Sequence, residues 1–220
     1  MPSMYISPAW FYGYDIAFEL IFAVISLVIA LFAFRISKAS GQRSAKLLGL
    51  SFLFISLAYV VQSIFNFLIL SKLNENICRV AKISSVVLFN SIAIYTHIIL
   101  WLAGLAILLY MALKPSKVWV FWGLIAIAVV SFLFGNNAIL EYYIISSVYL
   151  AVISLHFIEN FLSNKQTKTL LVALAFVFLL FGSIHFLFSV NHEIFYMIGH
   201  FLELFAYILI LVNFYLVLKK

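Results

Sequence analysis

The residues of this chain that can bind ions or exchange protons lie inside apolar stretches. At about 1.5 Å per residue, Glu19, His185 and His200 each lie about 8–9 Å from the end of their apolar run. Glu203 and Tyr207 follow His200 at helical spacing and share its face. Two imidazoles and two carboxylates are ligands that Zn²⁺ accepts. The predicted ligand site therefore consists of Glu19, His185, His200, Glu203 and Tyr207. All of these except Tyr207 are predicted metal ligands.

A second set of polar residues recurs at steps of three and four and is predicted to line the interior. It comprises Asn66, Asn90, His97, Tyr149, His156 and Glu159. A haem needs two His at equal depth on separate helices, but His97 and His156 differ in depth by more than about 10 Å. His185 and His200 match in depth, yet adjacent helix axes about 8–10 Å apart leave little room for a porphyrin. Zn²⁺ or another metal is therefore favoured over haem, and the cofactor stays open.

Other chemistries are limited by what the sequence lacks. A retinal Schiff base needs a lysine inside the last helix, and that helix has only Lys219 and Lys220 beyond its end. One cysteine, Cys78, excludes an intrachain disulfide and a multi-cysteine metal site. No nucleophile or oxyanion arrangement accompanies the buried carboxylates. We therefore favour binding over catalysis.

The elements that must position these residues are seven apolar runs. The chain has 220 residues, of which 67% are hydrophobic and 9% charged, whereas soluble domains have about 25% charged residues. Lipid must therefore be the solvent for most of the surface, and helices satisfy their own backbone there. The predicted class is all-α, a single seven-transmembrane bundle over residues 1–220. Its approximate spans are 14–34, 47–70, 83–113, 118–134, 142–162, 169–190 and 194–218.

The basic residues predict an orientation for this bundle. Ten of the 13 Lys and Arg residues lie on one side, and only Lys72, Arg79 and Lys82 lie on the other. The positive-inside bias places the amino terminus outside and the carboxyl terminus inside a prokaryotic plasma membrane. Despite the formal charge of +6, the basic residues lack the clustered face that tracks phosphates. We expect contact with lipid and none with nucleic acid.

One segment of the last run resembles a known family. The stretch 199–207, GHFLELFAY, resembles the final helix of seven-helix membrane sensor modules at the amino ends of prokaryotic histidine kinases and cyclases. Those modules commonly read G-H-apolar-apolar-basic-apolar-apolar-A/G-Y, so His200 and Tyr207 match, while Glu203 stands where a basic residue is common. The resemblance covers about a sixth of the chain. It implies a sensory or ligand-binding module, and without a kinase domain it would need a separate protein partner at the cytoplasmic face.

Three functional hypotheses follow from these patterns. The first is a stand-alone membrane sensory or regulatory module that binds a small ligand or ion in the outer half of the bundle. The second is a His-liganded metal or haem protein, either a metalloenzyme or a redox subunit. The third is an assembly subunit whose polar network is structural, since interhelical hydrogen bonds of this kind are routine in membranes.

Overall fold

The chain forms a bundle of helices in a computed structural model that describes residues 8, 10, 11, 13–74, 83–114, 117–134, 137–190 and 192–218. Within these residues there are seven helices and no strand, which confirms the all-α class. The helices are α1 (Tyr14–Ser40), α2 (Arg43–Asn74), α3 (Ile83–Leu113), α4 (Trp119–Phe134), α5 (Ala138–Asn164), α6 (Thr167–Ser189) and α7 (Ile194–Leu218). Each predicted apolar run coincides with one helix, and the polar ends of α1 and α2 extend the helices beyond the apolar runs.

The surface of the bundle is apolar, as expected for a protein in lipid. Large aliphatic and aromatic side chains such as Leu31, Ile99, Leu155 and Phe205 are more than half exposed. Six of the described helices, all except α4, are long and apolar enough to cross a membrane. The apolar part of α4, Trp119–Ser131, is shorter than the ~17–25 residues of a typical span. The molecule is therefore a helical bundle of the membrane type.

Six helices form a closed ring, and α4 lies outside it. Around the ring, α1 contacts α2, α2 contacts α3, α3 contacts α5, α5 contacts α6, α6 contacts α7, and α7 returns to α1. On the outside, α4 packs against α3 and α5 and against no other described helix. Tyr149 of α5 anchors it there by donating a hydrogen bond to the Leu124 carbonyl oxygen. The interior is thus enclosed by six helices, and the short α4 takes no part in its walls.

Small residues and hydroxyl groups bring neighbouring helices close together. Ser51 donates a hydrogen bond to the Gly104 carbonyl oxygen, and Ser56 donates one to the Ala23 carbonyl oxygen, both at 2.8 Å. A Cβ atom at Gly104 would lie 2.8 Å from the Ile55 side chain and 3.0 Å from the Ser51 carbonyl oxygen. The backbones of α2 and α3 therefore touch at a place where only glycine fits, as is common between membrane helices.

Two glycine substitutions test this close contact. Gly104→Ala should lower the free energy of unfolding by about 1–3 kcal/mol, because the added methyl overpacks the α2–α3 interface. Gly123→Ala in α4 is the matched control, since a Cβ atom there meets nothing within 4 Å. It should be neutral or stabilising by up to about 1 kcal/mol, as expected for alanine in a helix. Denaturant unfolding in mild detergent measures both, and equal effects would contradict the interface.

Candidate ligand site

A cavity of about 50 Å³ lies inside the six-helix ring. It is in the half of the bundle that contains the starts of α1 and α7, because Glu19 and His200 lie within two turns of those starts. The other polar walls include Gln62 of α2, His97 of α3 and Glu203 of α7. A water molecule needs about 10–15 Å³ of such space, so the cavity has room for roughly three to five water-sized groups. None of its described lining residues is Lys or Arg.

Both carboxylates of the cavity are held by side chains of α2. Glu19 accepts hydrogen bonds from Asn66 Nδ2 at both oxygens, at 2.9 and 3.1 Å. The amide of Gln62 in turn donates to Asn66 Oδ1 at 3.4 Å. Glu203 Oε2 accepts from the Tyr59 hydroxyl at 3.2 Å. A carboxylate offers about four acceptor positions, so these bonds leave each group capacity to accept from a ligand.

The two histidines of the cavity wall differ in their hydrogen bonding. His97 Nδ1 lies 3.1 Å from the Ala58 carbonyl oxygen, and its Nε2 lies 3.2 Å from the Tyr142 hydroxyl. Since a carbonyl only accepts, Nδ1 carries the proton and Tyr142 donates to Nε2. His200 is only 5% exposed, yet neither of its ring nitrogens has a hydrogen-bond partner among the described residues. Its nearest acid is Glu203, whose Oε2 lies 3.8 Å from Nδ1.

Aromatic rings fix the orientation of the His200 imidazole. Phe11, Phe18 and Phe22 lie near parallel to it at interplanar angles of 19°, with centroid distances between 5.6 and 6.0 Å. Tyr196 meets it edge-on at a centroid distance of 4.6 Å. Rings on several sides leave the imidazole little freedom to rotate toward another partner. The orientation of the two ring nitrogens is therefore set by packing and not by hydrogen bonds.

The segment before α1 packs against His200 and Tyr196 through Phe11. Phe11 is 4% exposed, and the neighbouring Trp10 donates from its indole nitrogen to Glu193 Oε2 at 3.0 Å. This bond joins the segment to the turn between α6 and α7. Asp15 is fully buried in the first turn of α1, where its Oδ1 accepts from two backbone amides at 2.8 and 2.9 Å. Contacts at both ends thus hold Phe11 over His200.

The structure brings three of the five predicted ligand residues to the cavity wall. These are Glu19, His200 and Glu203. Tyr207 lies beside the cavity, where its hydroxyl is 3.4 Å from the Tyr59 hydroxyl and its ring packs on Phe22 at a centroid distance of 5.2 Å. It supports Glu203 through Tyr59 and does not itself line the cavity.

His185 lies away from the predicted cluster. Its Nδ1 is 2.7 Å from the carbonyl oxygen of Phe181 on the same helix, and its ring packs against Phe195. The next residue, Phe186, lines the cavity, and His185 does not. The four predicted metal ligands are therefore not brought together. In the described part of the chain, no group of three or more His, Cys, Asp or Glu side chains could hold a metal ion.

The second predicted set is divided between the site and the rest of the bundle. Asn90 is buried on α3 and is not among the cavity-lining residues. Those at the site are His97, which lines the cavity, and Asn66, which holds Glu19. Those away from it are Tyr149, which anchors α4, His156, half-buried beside Phe157, and Glu159, exposed on α5. The latter two lie toward the opposite end of the bundle. They make no contact with the cavity.

The sequence reasoning missed much of the cavity wall. Five aromatic rings and one amide line it without having been singled out as ligand residues: Tyr59, Tyr142, Tyr143, Phe186, Tyr196 and Gln62. Gln62 had a usable signal, because it follows Tyr59 by three positions and precedes Asn66 by four, which puts it on the same helical face. Tyr59 and Tyr142 recur with other polar residues at helical spacing, which is also a signal. Tyr143, Phe186 and Tyr196 had none, since the chain has 18% aromatic residues and most of them pack in the core or face outward.

A double-mutant cycle tests the contact between Glu19 and Asn66. Asn66→Leu removes the amide group that donates to both Glu19 oxygens, and it leaves this buried acid without that hydrogen-bond donor. The free energy of unfolding should fall by about 2–4 kcal/mol. Adding Glu19→Leu should restore at least half of that loss, since both polar groups are then gone. Unfolding of the single and double variants in detergent measures the coupling, and simple additivity of the two losses would contradict the contact.

Comparisons of the chain with family models, with curated proteins and with solved structures found no match. The similarity of the 199–207 segment to sensor modules therefore stays a prediction made from those residues. Function has to be argued from the chemistry of the cavity.

Proposed function

We propose that the chain is a membrane sensory or regulatory module that binds a small ligand or ion between Glu19, His200 and Glu203. The contrast between the two cavity histidines carries this proposal. His97 has a partner at each ring nitrogen, whereas the more deeply buried His200 has none within the described ranges. A purely structural network would satisfy both, because an unpaired buried polar group costs about 1–3 kcal/mol. A ligand in the adjacent cavity supplies the missing partner.

The charge of the cavity wall supports a ligand at the same place. Glu19 and Glu203 are both at most 5% exposed, and a carboxylate buried in an apolar interior must be balanced by a proton or by a cation. The walls come from all six ring helices. A bound ligand would therefore contact groups that different helices position. This arrangement favours a ligand that changes the packing of the bundle when it binds.

A route for a signal follows from the position of α1 and α7. These helices close the ring, and they meet where Phe18 and Phe22 of α1 lie against His200 of α7. A ligand that binds one arrangement of this seam more tightly than another shifts the population toward it. The exposed basic residues at the far end of α1, including Arg35 and Lys38, are the proposed contact for a separate protein partner at the cytoplasmic face.

The proposal includes seven spans, with the amino terminus outside and the carboxyl terminus inside a prokaryotic plasma membrane. The asymmetry of the basic residues supports the orientation, and it places the cavity in the outer half. The position of α5 supports the count. Tyr142 near the start of α5 lines the same cavity as Glu19 near the start of α1. The helices α1 and α5 therefore start on the same side of the membrane. Since α3 ends on the other side, α4 must carry the chain back across, which makes seven spans.

Cysteine labelling tests the orientation. Cys78 is the single cysteine of the chain and lies outside the described residues, in a loop predicted to be external. A membrane-impermeant maleimide should label it in intact cells. In a Cys78→Ser background, a new cysteine at Gln42, between α1 and α2, should be labelled only after permeabilisation. The Cys78→Ser chain alone is the blank, and the reverse pattern would contradict the orientation.

Thermal unfolding with a panel of small probes tests the site. Potassium, ammonium, methylammonium, zinc, acetate and glycerol are added to the detergent-solubilised protein at matched ionic strength. At least one should raise Tm by about 2–5 °C when present at about ten times its Kd. The rise should vanish in Glu203→Gln and persist in Glu159→Gln, which makes the same change on an exposed part of α5. Absence of any such rise across the panel would overturn the proposed site.

A further inference from the structure

We propose that the cavity binds a monovalent cation carrying N–H donors: ammonium or a short primary alkylammonium. This inference rests on the proposed function and names the ligand class of the same site. Three properties of the cavity lead to it, namely its acid groups, its unused acceptors and its aromatic walls. Its volume then limits the size of the ligand.

The two acid groups favour a cation as the ligand, because a cation can take the place of the protons that otherwise neutralise them. Glu19 and Glu203 enter the cavity from α1 and α7, and the described lining residues include no Lys or Arg that could balance them. The hydroxyl of Tyr59 and the amide of Asn66 donate to these carboxylates as neutral groups. His97 donates its Nδ1 proton to the Ala58 carbonyl oxygen, and its Nε2 already accepts from Tyr142. The cavity wall therefore carries two acidic side chains and, among its described residues, no Lys or Arg to pair with them.

The unused hydrogen-bonding groups of the wall select a donor. Gln62 uses its NH₂ group on Asn66, and its carbonyl oxygen has no partner in the part of the chain that the structure describes. The neutral His200 ring has one acceptor nitrogen and one N–H donor, and neither has a partner there. With the carboxylates of Glu19 and Glu203, acceptors outnumber donors on the cavity wall. An ammonium group supplies three or four N–H donors and no acceptor, which matches this inventory.

The remaining wall favours an organic or ammonium cation over a metal ion. The rings of Tyr143 and Phe186 stack at a centroid distance of 5.6 Å, and Tyr196 meets Phe186 at 5.5 Å. All three line the cavity with Tyr59 and Tyr142. Aromatic rings attract ammonium groups through their quadrupole when water is excluded. A transition metal would need a cluster of ligands, and among the described side chains no group of three or more His, Cys, Asp or Glu is placed to hold a metal ion.

The volume of about 50 Å³ sets the size limit. It holds roughly three to five water-sized groups, so ammonium, methylammonium and ethylammonium fit with their donors facing the acid groups. Tetramethylammonium is close to the limit of the space and has no N–H donor. The difference in affinity between methylammonium and tetramethylammonium therefore measures the combined effect of hydrogen bonding and size. The affinity for sodium measures the effect of charge alone.

Calorimetric titration of the protein in nanodiscs tests the inference. The buffer contains sodium phosphate and no amine, and the titrants are ammonium chloride, methylammonium chloride, tetramethylammonium chloride and sodium chloride at constant ionic strength. We expect saturable binding of ammonium or methylammonium, and at least about tenfold weaker binding of the other two. Glu203→Gln should weaken methylammonium binding by about tenfold or more, whereas Glu159→Gln should leave it unchanged. Gln62→Leu, which keeps both acids, should weaken it by several-fold.

The outcomes separate this inference from the proposed function. If no amine binds, but another probe of the panel stabilises the protein in a manner that depends on Glu203, the ligand class is wrong and the site survives. If no probe binds or stabilises, both proposals fail. Equal affinity for tetramethylammonium and methylammonium would overturn the role of N–H donors. The comparison of methylammonium, tetramethylammonium and sodium is made on the unmodified protein, so it stands even if Glu203→Gln does not fold.

Discussion

The structure depends on how buried carboxylates are satisfied inside an apolar bundle. Glu19 of α1 and Glu203 of α7 both bond to side chains of α2, through Asn66 and Tyr59. Although α2 and α7 are not neighbours in the ring, the bond between Tyr59 and Glu203 joins them across the interior. No water or lipid can replace these partners at that depth without cost. The carboxylates thus connect both helices of the closing seam to one common helix.

The interior contains two kinds of polar group, and the difference between them indicates function. Ser51, Ser56 and His97 each bond to a backbone carbonyl of a neighbouring helix, and these contacts stabilise the packing. His200 and the Gln62 carbonyl have no such partner among the residues that the structure describes, and both belong to residues that line the cavity. Other unpartnered buried atoms, such as Trp101 Nε1 and Asn213 Oδ1, belong to residues outside the cavity wall. Groups kept at a cost to stability concentrate at binding sites. The binding proposal explains why the two residues at the cavity are polar at all.

The sequence predicts the helices well because lipid imposes length and composition on each span. It also predicts Glu19, His200 and Glu203 together, because depth follows from residue number along a helix. It does not predict which way a helix is rotated or which helices are neighbours. A helix that is apolar all round gives no periodic signal to orient it, so α6 could present either His185 or Phe186 to the interior. For the same reason nothing in the sequence of α4 shows that it lies outside the ring.

The central claim is that His200 is held for a ligand and not for stability. Its most direct test compares the unfolding free energies of His200→Leu and His97→Leu in detergent, in a buffer free of amines and divalent metals. His97→Leu should lose about 1–3 kcal/mol, because it leaves the Ala58 carbonyl and the Tyr142 hydroxyl unpaired. His200→Leu should be unchanged or more stable by about 1–2 kcal/mol, because it removes a buried polar group without a described partner. A loss in His200→Leu as large as that in His97→Leu would show that His200 is structural and would contradict the account.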